Sequence, residues 1–187
     1  VSNQKGKVIA GESLNATAQQ VDNTDGTVFA KDQLHLAVAD QLNNQSGTIA
    51  ANQLVQIQAK NLNNMAGKIR SEQNQLDLNV EQNLDNQTGQ IYAGSQANIH
   101  TTELNNQQGT IYSQNQLDLN ASQLNNQQGQ IYSEGQAQLK VQGDIQNQKG
   151  VLAAGQNLKI NSAGLDNTAG TIRSEKADIT LNAQVQL

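Results

Sequence analysis

The sequence has no cysteine, proline or tryptophan among its 187 residues, and aromatic residues make up only 2% of it. Without cysteine the chain cannot form disulfide bonds, thiolate metal sites or a thiol nucleophile. No apolar run approaches the roughly 18 residues of a membrane-spanning helix, so we predict no transmembrane segment. With so few large apolar side chains, a thick globular core is not expected.

Positive charge is also scarce. Lysine and arginine together number 11 against 16 aspartates and glutamates, which gives a formal net charge of −5. Proteins that bind nucleic acid usually present a basic patch or stripe to the phosphate backbone. The charge balance therefore argues against nucleic acid as a partner.

Side-chain amides are abundant instead, since asparagine and glutamine together number 56. Such a composition alone would indicate a disordered polar tract. The amides nevertheless keep a fixed frame, in which an apolar residue is followed by asparagine two positions later and by glycine three positions after that. We write this frame LxNxxG, and it is clearest in residues 104–121, LNNQQGTIYSQNQLDLNA. The frame occurs nine times, and successive glycines are separated by 20, 21, 20, 22, 20, 20, 21 and 20 residues. One repeated unit thus covers the whole chain.

Within each unit, apolar or small residues alternate with polar ones. Gly109, for example, is followed by Ile111, Ser113, Leu117 and Leu119. A period of two predicts strands with one buried face rather than helices. Because about twenty residues cannot bury their own apolar face, we predict an all-β parallel β-solenoid of about nine coils of 20–22 residues, with coils about 4.8 Å apart. Each coil should contain two strands after the glycine and a short third strand at the LxN segment.

The asparagine and glycine of each unit are predicted to form the corner before the next coil. We expect the glycine to supply a positive φ angle and the asparagine amide to point inward and hydrogen-bond to the coils above and below. The role of this corner column is structural. Its members are Asn3, Asn23, Asn44, Asn64, Asn86, Asn106, Asn126, Asn147 and Asn167.

Two units depart from the frame in the same way. Gly67 and Gly170 are both followed by a string containing IRSE, and the second strand then starts one residue later. This offset predicts a small bulge at that corner. Counting on from Leu165 reaches Leu187 as the first residue of a tenth motif, so we expect residues 1–187 to be a single solenoid segment, an uncapped excerpt of a longer repeat array.

The unit LxNxxGxIxSxxxLxLxA resembles the haemagglutinin repeat of filamentous haemagglutinin and of CdiA-type contact-dependent growth-inhibition proteins. The resemblance covers the chain and is carried by LNNQSGTIA at 42–50, LDNQTGQIYAG at 84–94 and LDNTAGTIRSE at 165–175. It implies a right-handed parallel β-helix that is exported by two-partner secretion. It also implies an outer-membrane transporter as the partner during export, and attachment to the outer surface of a Gram-negative bacterium.

The third position after each glycine, here called Gly+3, lies between two inward positions and should face solvent. Aromatic residues and arginine recur there, at Phe29, Arg70, Tyr92, Tyr112, Tyr132 and Arg173. Three tyrosines in consecutive coils predict an exposed aromatic stack flanked by arginine. We regard Tyr92, Tyr112, Tyr132, Arg70 and Arg173 as a candidate binding strip for sugar rings or a partner protein. The alternative is that aromatic neighbours along a ladder only stabilise strand pairing.

Other polar groups give no indication of catalysis or of a bound cofactor. His35 and His100 fall in different coils and no other ligand type recurs beside them, so we expect no metal site. The insertions between units never exceed two residues, which leaves no loops to enclose a cleft around a pair of carboxylates. The carboxylates are scattered over polar positions, among them Asp77, Asp118, Glu72, Glu134 and Glu175.

Three functions are compatible with these features. The first, which we prefer, is a structural filament or stalk segment of a large secreted cell-surface adhesin or contact-dependent growth-inhibition exoprotein, which extends and presents distal receptor-binding or toxin regions. The second is that the segment itself binds a target-cell receptor or glycan. The third is a polysaccharide-active β-helix enzyme. The uniform coils disfavour the third function, and we predict that the chain is not an enzyme.

Overall fold

The computed structural model describes residues 1–186, and side-chain environments for residues 1–183. Within that range every regular element is a β-strand, and no helix occurs, so no helix could cross a membrane. All strand pairings are parallel, and they join each coil to the equivalent segment of the next. The alternating sequence pattern therefore produces the predicted parallel β-solenoid of about nine coils.

The first face of the solenoid is a nine-stranded sheet to which each coil contributes four residues. We number the coils 1 to 9 by these strands. They are β1 (Lys7–Ala10), β4 (Thr27–Ala30), β6 (Thr48–Ala51), β8 (Lys68–Ser71), β10 (Gln90–Ala93), β13 (Thr110–Ser113), β16 (Gln130–Ser133), β19 (Val151–Ala154) and β21 (Thr171–Ser174).

The second and third faces belong to one 13-stranded sheet that bends at a corner. Five strands run through that corner, namely β5 (Gln33–Asn43), β7 (Leu54–Asn63), β9 (Gln75–Asp85), β20 (Leu158–Asp166) and β22 (Ile179–Gln186). In the other coils the second face has β2 (Leu14–Ala18), β11 (Gln96–His100), β14 (Gln116–Ala121) and β17 (Gln136–Val141), and the third face has β3 (Val21–Asp22), β12 (Glu103–Asn105), β15 (Gln123–Asn125) and β18 (Asp144–Gln146).

The core is a set of columns that run along the solenoid axis. Ile91, Ile111 and Ile131 are aligned in consecutive coils and are almost fully buried, and the same holds for the leading leucines Leu104 and Leu124. Each coil thus covers the apolar residues of its neighbours, which is why a unit of about twenty residues can be stable only in a stack.

The corners show one predicted and one unpredicted irregularity. Three residues separate β8 from β9, where two separate β13 from β14, so the IRSE unit that follows Gly67 does contain the expected additional residue. Register shifts also occur at the bend between the second and third faces, for instance between Ala59 and Asn61. These shifts follow from the unequal number of residues that coils place at that bend.

The predicted tenth motif falls on Leu187, which lies outside the described residues. Within them, the register of β22 against β20 differs from the one expected from counting. Val185 pairs with Leu165, whereas the sequence frame placed Leu187 opposite Leu165. The last coil is therefore two residues shorter than the sequence frame predicted.

Candidate functional site

The nine corner asparagines form one continuous column, here called the Asn column. Each amide nitrogen donates to the amide oxygen of the asparagine in the next coil, and the eight bonds from Asn3 through to Asn167 measure 2.6–2.7 Å. The seven side chains from Asn23 to Asn147 are fully buried. Because all the amide dipoles point the same way, neighbouring bonds polarise and strengthen one another.

Each amide also donates to backbone carbonyls of the corner. The Asn106 amide nitrogen lies 3.3 Å from the carbonyl oxygen of Gly109 in its own coil and 3.3 Å from that of Gln130 in the next coil. The Gly109 carbonyl also accepts the backbone N–H of Gln130 at 2.9 Å, so the amide adds a second hydrogen bond to a carbonyl that is already paired. The column therefore joins the coils and closes every corner with the same side chain.

The glycine of the corner has a different role from the one predicted. No glycine in residues 1–186 has a positive φ; the positive angle, 54–57°, belongs to the residue just before it, such as Gln108. Glycine is needed because a Cβ on Gly109 would lie 2.2 Å from the carbonyl oxygen of Asn86 in the previous coil and 2.7 Å from the Asn106 amide oxygen. The corner needs glycine because adjacent coils approach closely there, and the residue before the glycine adopts the positive φ angle.

A second amide column, which the sequence analysis missed, runs beside the first on the solvent side. Its members precede the corner asparagines and accept the backbone N–H two residues later, as Asn105 does from Gln107 at 3.2 Å. They also bond along the axis, for example from Asn125 to Asn105 at 3.3 Å. Where the member is Asp22, hydrogen bonds from the Thr24 side chain and backbone lower the pKa of its carboxyl group.

The Gly+3 positions align as one outward column across all nine coils, here called the Gly+3 column. Its members in coil order are Ile9, Phe29, Ala50, Arg70, Tyr92, Tyr112, Tyr132, Ala153 and Arg173. The rings of Tyr92 and Tyr112 are stacked, with centroids 5.3 Å apart and planes 7° apart, and Tyr132 is tilted by 41° at 5.8 Å from Tyr112. The three rings thus form one aromatic stack.

The two arginines are placed differently with respect to this stack. The Arg70 guanidinium carbon lies 4.6 Å from the ring centroid of Tyr92, in the range of a cation–π contact. Arg173 does not flank the stack directly, because Ala153 lies between it and Tyr132. Each arginine also pairs with the glutamate two residues later, Arg70 with Glu72 at 2.8 Å and Arg173 with Glu175 at 3.2 Å.

The stack presents ring edges and hydroxyl groups outward rather than ring faces. Tyr92 has Arg70 on one side and Tyr112 on the other, and Tyr112 lies between two rings. Ala153 points outward but is only 1% exposed, so neighbouring side chains cover the position beyond Tyr132. A sugar ring that stacks on an aromatic face would have to displace one of these neighbours.

Two of the hydroxyl groups have partners in the next coil. The Tyr112 hydroxyl donates a short hydrogen bond to the Glu134 carboxylate, and the Gln114 amide donates to the Tyr92 hydroxyl at 3.3 Å. Burial raises the pKa of the Tyr112 hydroxyl, and the bond to Glu134 raises it further. Glu134 was not singled out as a partner of the strip, although its spacing from Tyr132 repeats that of Glu72 from Arg70.

The remaining polar groups named from the sequence do not converge. His35 bonds to Gln56 at 2.7 Å, and no group of three or more potential metal ligands occurs in the described part of the chain. Asp77 and Asp118 share a column on the second face but are separated by Asn98, whose amide donates to Asp77 at 2.7 Å. These contacts are those of a hydrogen-bonded polar surface.

The family model of the haemagglutinin repeat matches residues 1–46, 33–88, 73–149 and 147–186. Together these matches span almost the whole chain and all nine coils. No curated protein and no solved structure matches the chain significantly.

Proposed function

Since the chain belongs to the haemagglutinin-repeat family, a family of adhesin-type structural repeats, we propose that it is a stalk segment of a large secreted adhesin or contact-dependent growth-inhibition exoprotein. Its role is to extend and present distal receptor-binding or toxin regions. The proposal places the segment at the outer surface of a Gram-negative bacterium.

The observation that carries this proposal is the unbroken Asn column. Eight consecutive hydrogen bonds of nearly equal length connect nine coils, and the six inner ones are buried. No connection between strands in residues 1–186 is longer than four residues. At about 4.8 Å per coil the segment extends for about 43 Å. Such a solenoid gives stiffness and a defined length, the properties that a stalk needs.

The repeated coils also suit a mechanism of export. Proteins with this repeat are typically substrates of two-partner secretion, and we propose an outer-membrane transporter of that kind as the partner. Each coil contacts only its neighbours, so a chain that emerges unfolded can fold coil by coil outside the cell. The folded coils then prevent the chain from sliding back. This idea requires the isolated chain to fold in plain buffer, which circular dichroism measures.

Deletion of one coil tests the stalk role. Removing residues 27–47 takes out 21 residues, one full unit that lies outside the tyrosine stack. In the secreted exoprotein we expect a filament shorter by about 5 Å that still presents its distal region. Electron microscopy measures the length, and target-cell binding or toxin delivery measures presentation. Loss of presentation with intact folding would contradict a spacer role.

The second candidate function, direct binding of a receptor or glycan, is favoured by one observation. Both arginines and all four aromatic residues of the sequence lie in the Gly+3 column. Replacing Tyr92, Tyr112 and Tyr132 by serine and measuring cell and glycan binding tests it. Unchanged binding by a folded triple variant would eliminate the strip as a receptor site.

A further inference from the structure

The Gly+3 column differs in composition from the rest of the surface. It holds every aromatic residue and both arginines of a chain whose other outward positions are mostly amides, threonine and charged groups. Tyrosine and arginine are among the residues enriched at the centres of protein–protein interfaces. Because the tyrosine faces are already covered by Arg70 and by one another, the column fits a protein surface better than a sugar ring.

Side chains of the column that lie at equal distances before and after Tyr112 are complementary in size. Two coils before Tyr112 lies Arg70, and two coils after it lies Ala153. Three coils before it lies Ala50, and three coils after it lies Arg173. A long side chain on one side of the centre thus corresponds to alanine on the other side, twice.

We propose that the Gly+3 column is a self-recognition surface through which two copies of the chain pair antiparallel, face to face. A two-fold axis in the interface passes through Tyr112 along the strand direction. It sets Tyr92 against Tyr132 of the second copy, and Tyr112 against its own equivalent. Arg70 of each copy then lies opposite the Ala153 position of the other copy, and Arg173 lies opposite Ala50, so no two arginines meet. The interface is isologous, as in most symmetric dimers.

Charge distinguishes the antiparallel from the parallel arrangement. If the two copies ran parallel in the same register, Arg70 would face Arg70 and Arg173 would face Arg173, which brings like charges together. In the antiparallel arrangement Arg70 faces Ala153 and Arg173 faces Ala50, so no arginine meets an arginine. The avoidance of like charges therefore favours the antiparallel arrangement, as do the side-chain sizes.

The size of the surface predicts weak pairing. Coils 3 to 9 extend for about 34 Å and a four-residue strand is about 13 Å wide, so two copies bury about 900 Å² in total. That area is below the roughly 1,200 Å² of stable complexes and is typical of transient contacts. Rods that met along several such surfaces would gain avidity without new contacts.

Thiol cross-linking between engineered cysteines tests the geometry. The chain has no cysteine, and Thr48, Thr110 and Thr171 occupy one outward column beside Gly+3. With sheets about 10 Å apart, a bis-maleimide with a spacer of that length should join Thr110→Cys to itself. It should also join Thr48→Cys to Thr171→Cys when the two proteins are mixed.

Each outer variant alone is the matched control. The two-fold axis places the Thr48 positions of the two copies six coils apart along the rod, about 29 Å, and the same holds for Thr171. Neither variant should therefore cross-link to itself. Self-cross-linking of Thr48→Cys, or failure of Thr110→Cys to cross-link at concentrations near 1 mM, would overturn the proposal.

Exchange of the residues at positions 70 and 153 gives an independent test. Ala153→Arg alone sets arginine against Arg70 of the second copy and should abolish the dimer in sedimentation equilibrium. The double variant Arg70→Ala with Ala153→Arg restores one arginine opposite one alanine and should recover the dimer to near the wild-type level. No recovery, with circular dichroism unchanged, would overturn the proposal, as would a monomeric wild-type chain whose tyrosines are needed only for glycan or receptor binding.

Discussion

Asn106→Ala is the change that most sharply probes the energetics of the Asn column. The amide of Asn106 donates to Asn126 at 2.7 Å and accepts from Asn86 at 2.7 Å, and its side chain is fully buried. Alanine removes both short bonds and the two longer ones to backbone carbonyls. It also leaves the amide oxygen of Asn126 without its donor in a place that water does not reach.

The magnitude follows from these losses. A neutral hydrogen bond has a net value of about 1 kcal/mol, and a buried acceptor left unpaired costs about 1–3 kcal/mol. The two short bonds and one unpaired oxygen therefore lower the free energy of unfolding by about 3–5 kcal/mol. For a chain of this length each kcal/mol corresponds to about 2–4 °C in Tm, so we expect a decrease of about 6–20 °C.

Asn105→Ala is the matched control, one residue away. Asn105 belongs to the outer amide column, is partly exposed, and makes longer bonds of 3.2–3.3 Å. Water can replace these bonds, so we expect a loss of about 1 kcal/mol or less. Urea unfolding followed by circular dichroism measures both variants. Equal losses for Asn105→Ala and Asn106→Ala would refute the assignment of the inner column as the main polar link between coils.

Three further predictions concern pH and close approach. Asn106→Asp places a carboxylate against the Asn126 amide oxygen, which raises the pKa of the new carboxyl group in the folded protein above its unfolded value. The variant should therefore be most stable at acid pH, and urea unfolding should show stability being lost as the pH rises through the folded-state pKa. Thr24→Val should raise the pKa of Asp22 measured by NMR, because the threonine hydroxyl holds it down; an unchanged pKa would contradict the hydrogen bond. Gly109→Ala should prevent folding or lower the free energy of unfolding by several kcal/mol, as do other severe packing and backbone conflicts, whereas Gly11→Ala, with no atom within 4 Å of the added carbon, should leave thermal melting nearly unchanged.

The sequence predicts the coil count and the membership of each column because both depend only on spacing. A repeat of 20–22 residues places Tyr92, Tyr112 and Tyr132 in consecutive coils, and the structure aligns them. The alternating pattern also distinguishes inward from outward positions without any three-dimensional information. Column membership is therefore a property that a single sequence carries when the unit repeats nine times.

Atomic contacts between adjacent coils do not follow from the number of residues between motifs. The predictions that depended on such contacts were wrong or incomplete. The role of Gly109 depends on how closely the Asn86 carbonyl approaches it, and that distance exists only after stacking. The same reason explains why the tilt of Tyr132 and the bond between Tyr112 and Glu134 were not predicted. Both result from the way side chains in adjacent coils share limited space.

The most direct test of the stacked solenoid is the distance between two coils in solution. Nitroxide labels at Thr27→Cys and Thr171→Cys, which share one column seven coils apart, can be measured by pulsed electron resonance in protein diluted with unlabelled chain. The stacked solenoid predicts a narrow distribution centred at about 34 Å. A broad distribution, or one centred well beyond that distance, would contradict a continuous rod of stacked coils.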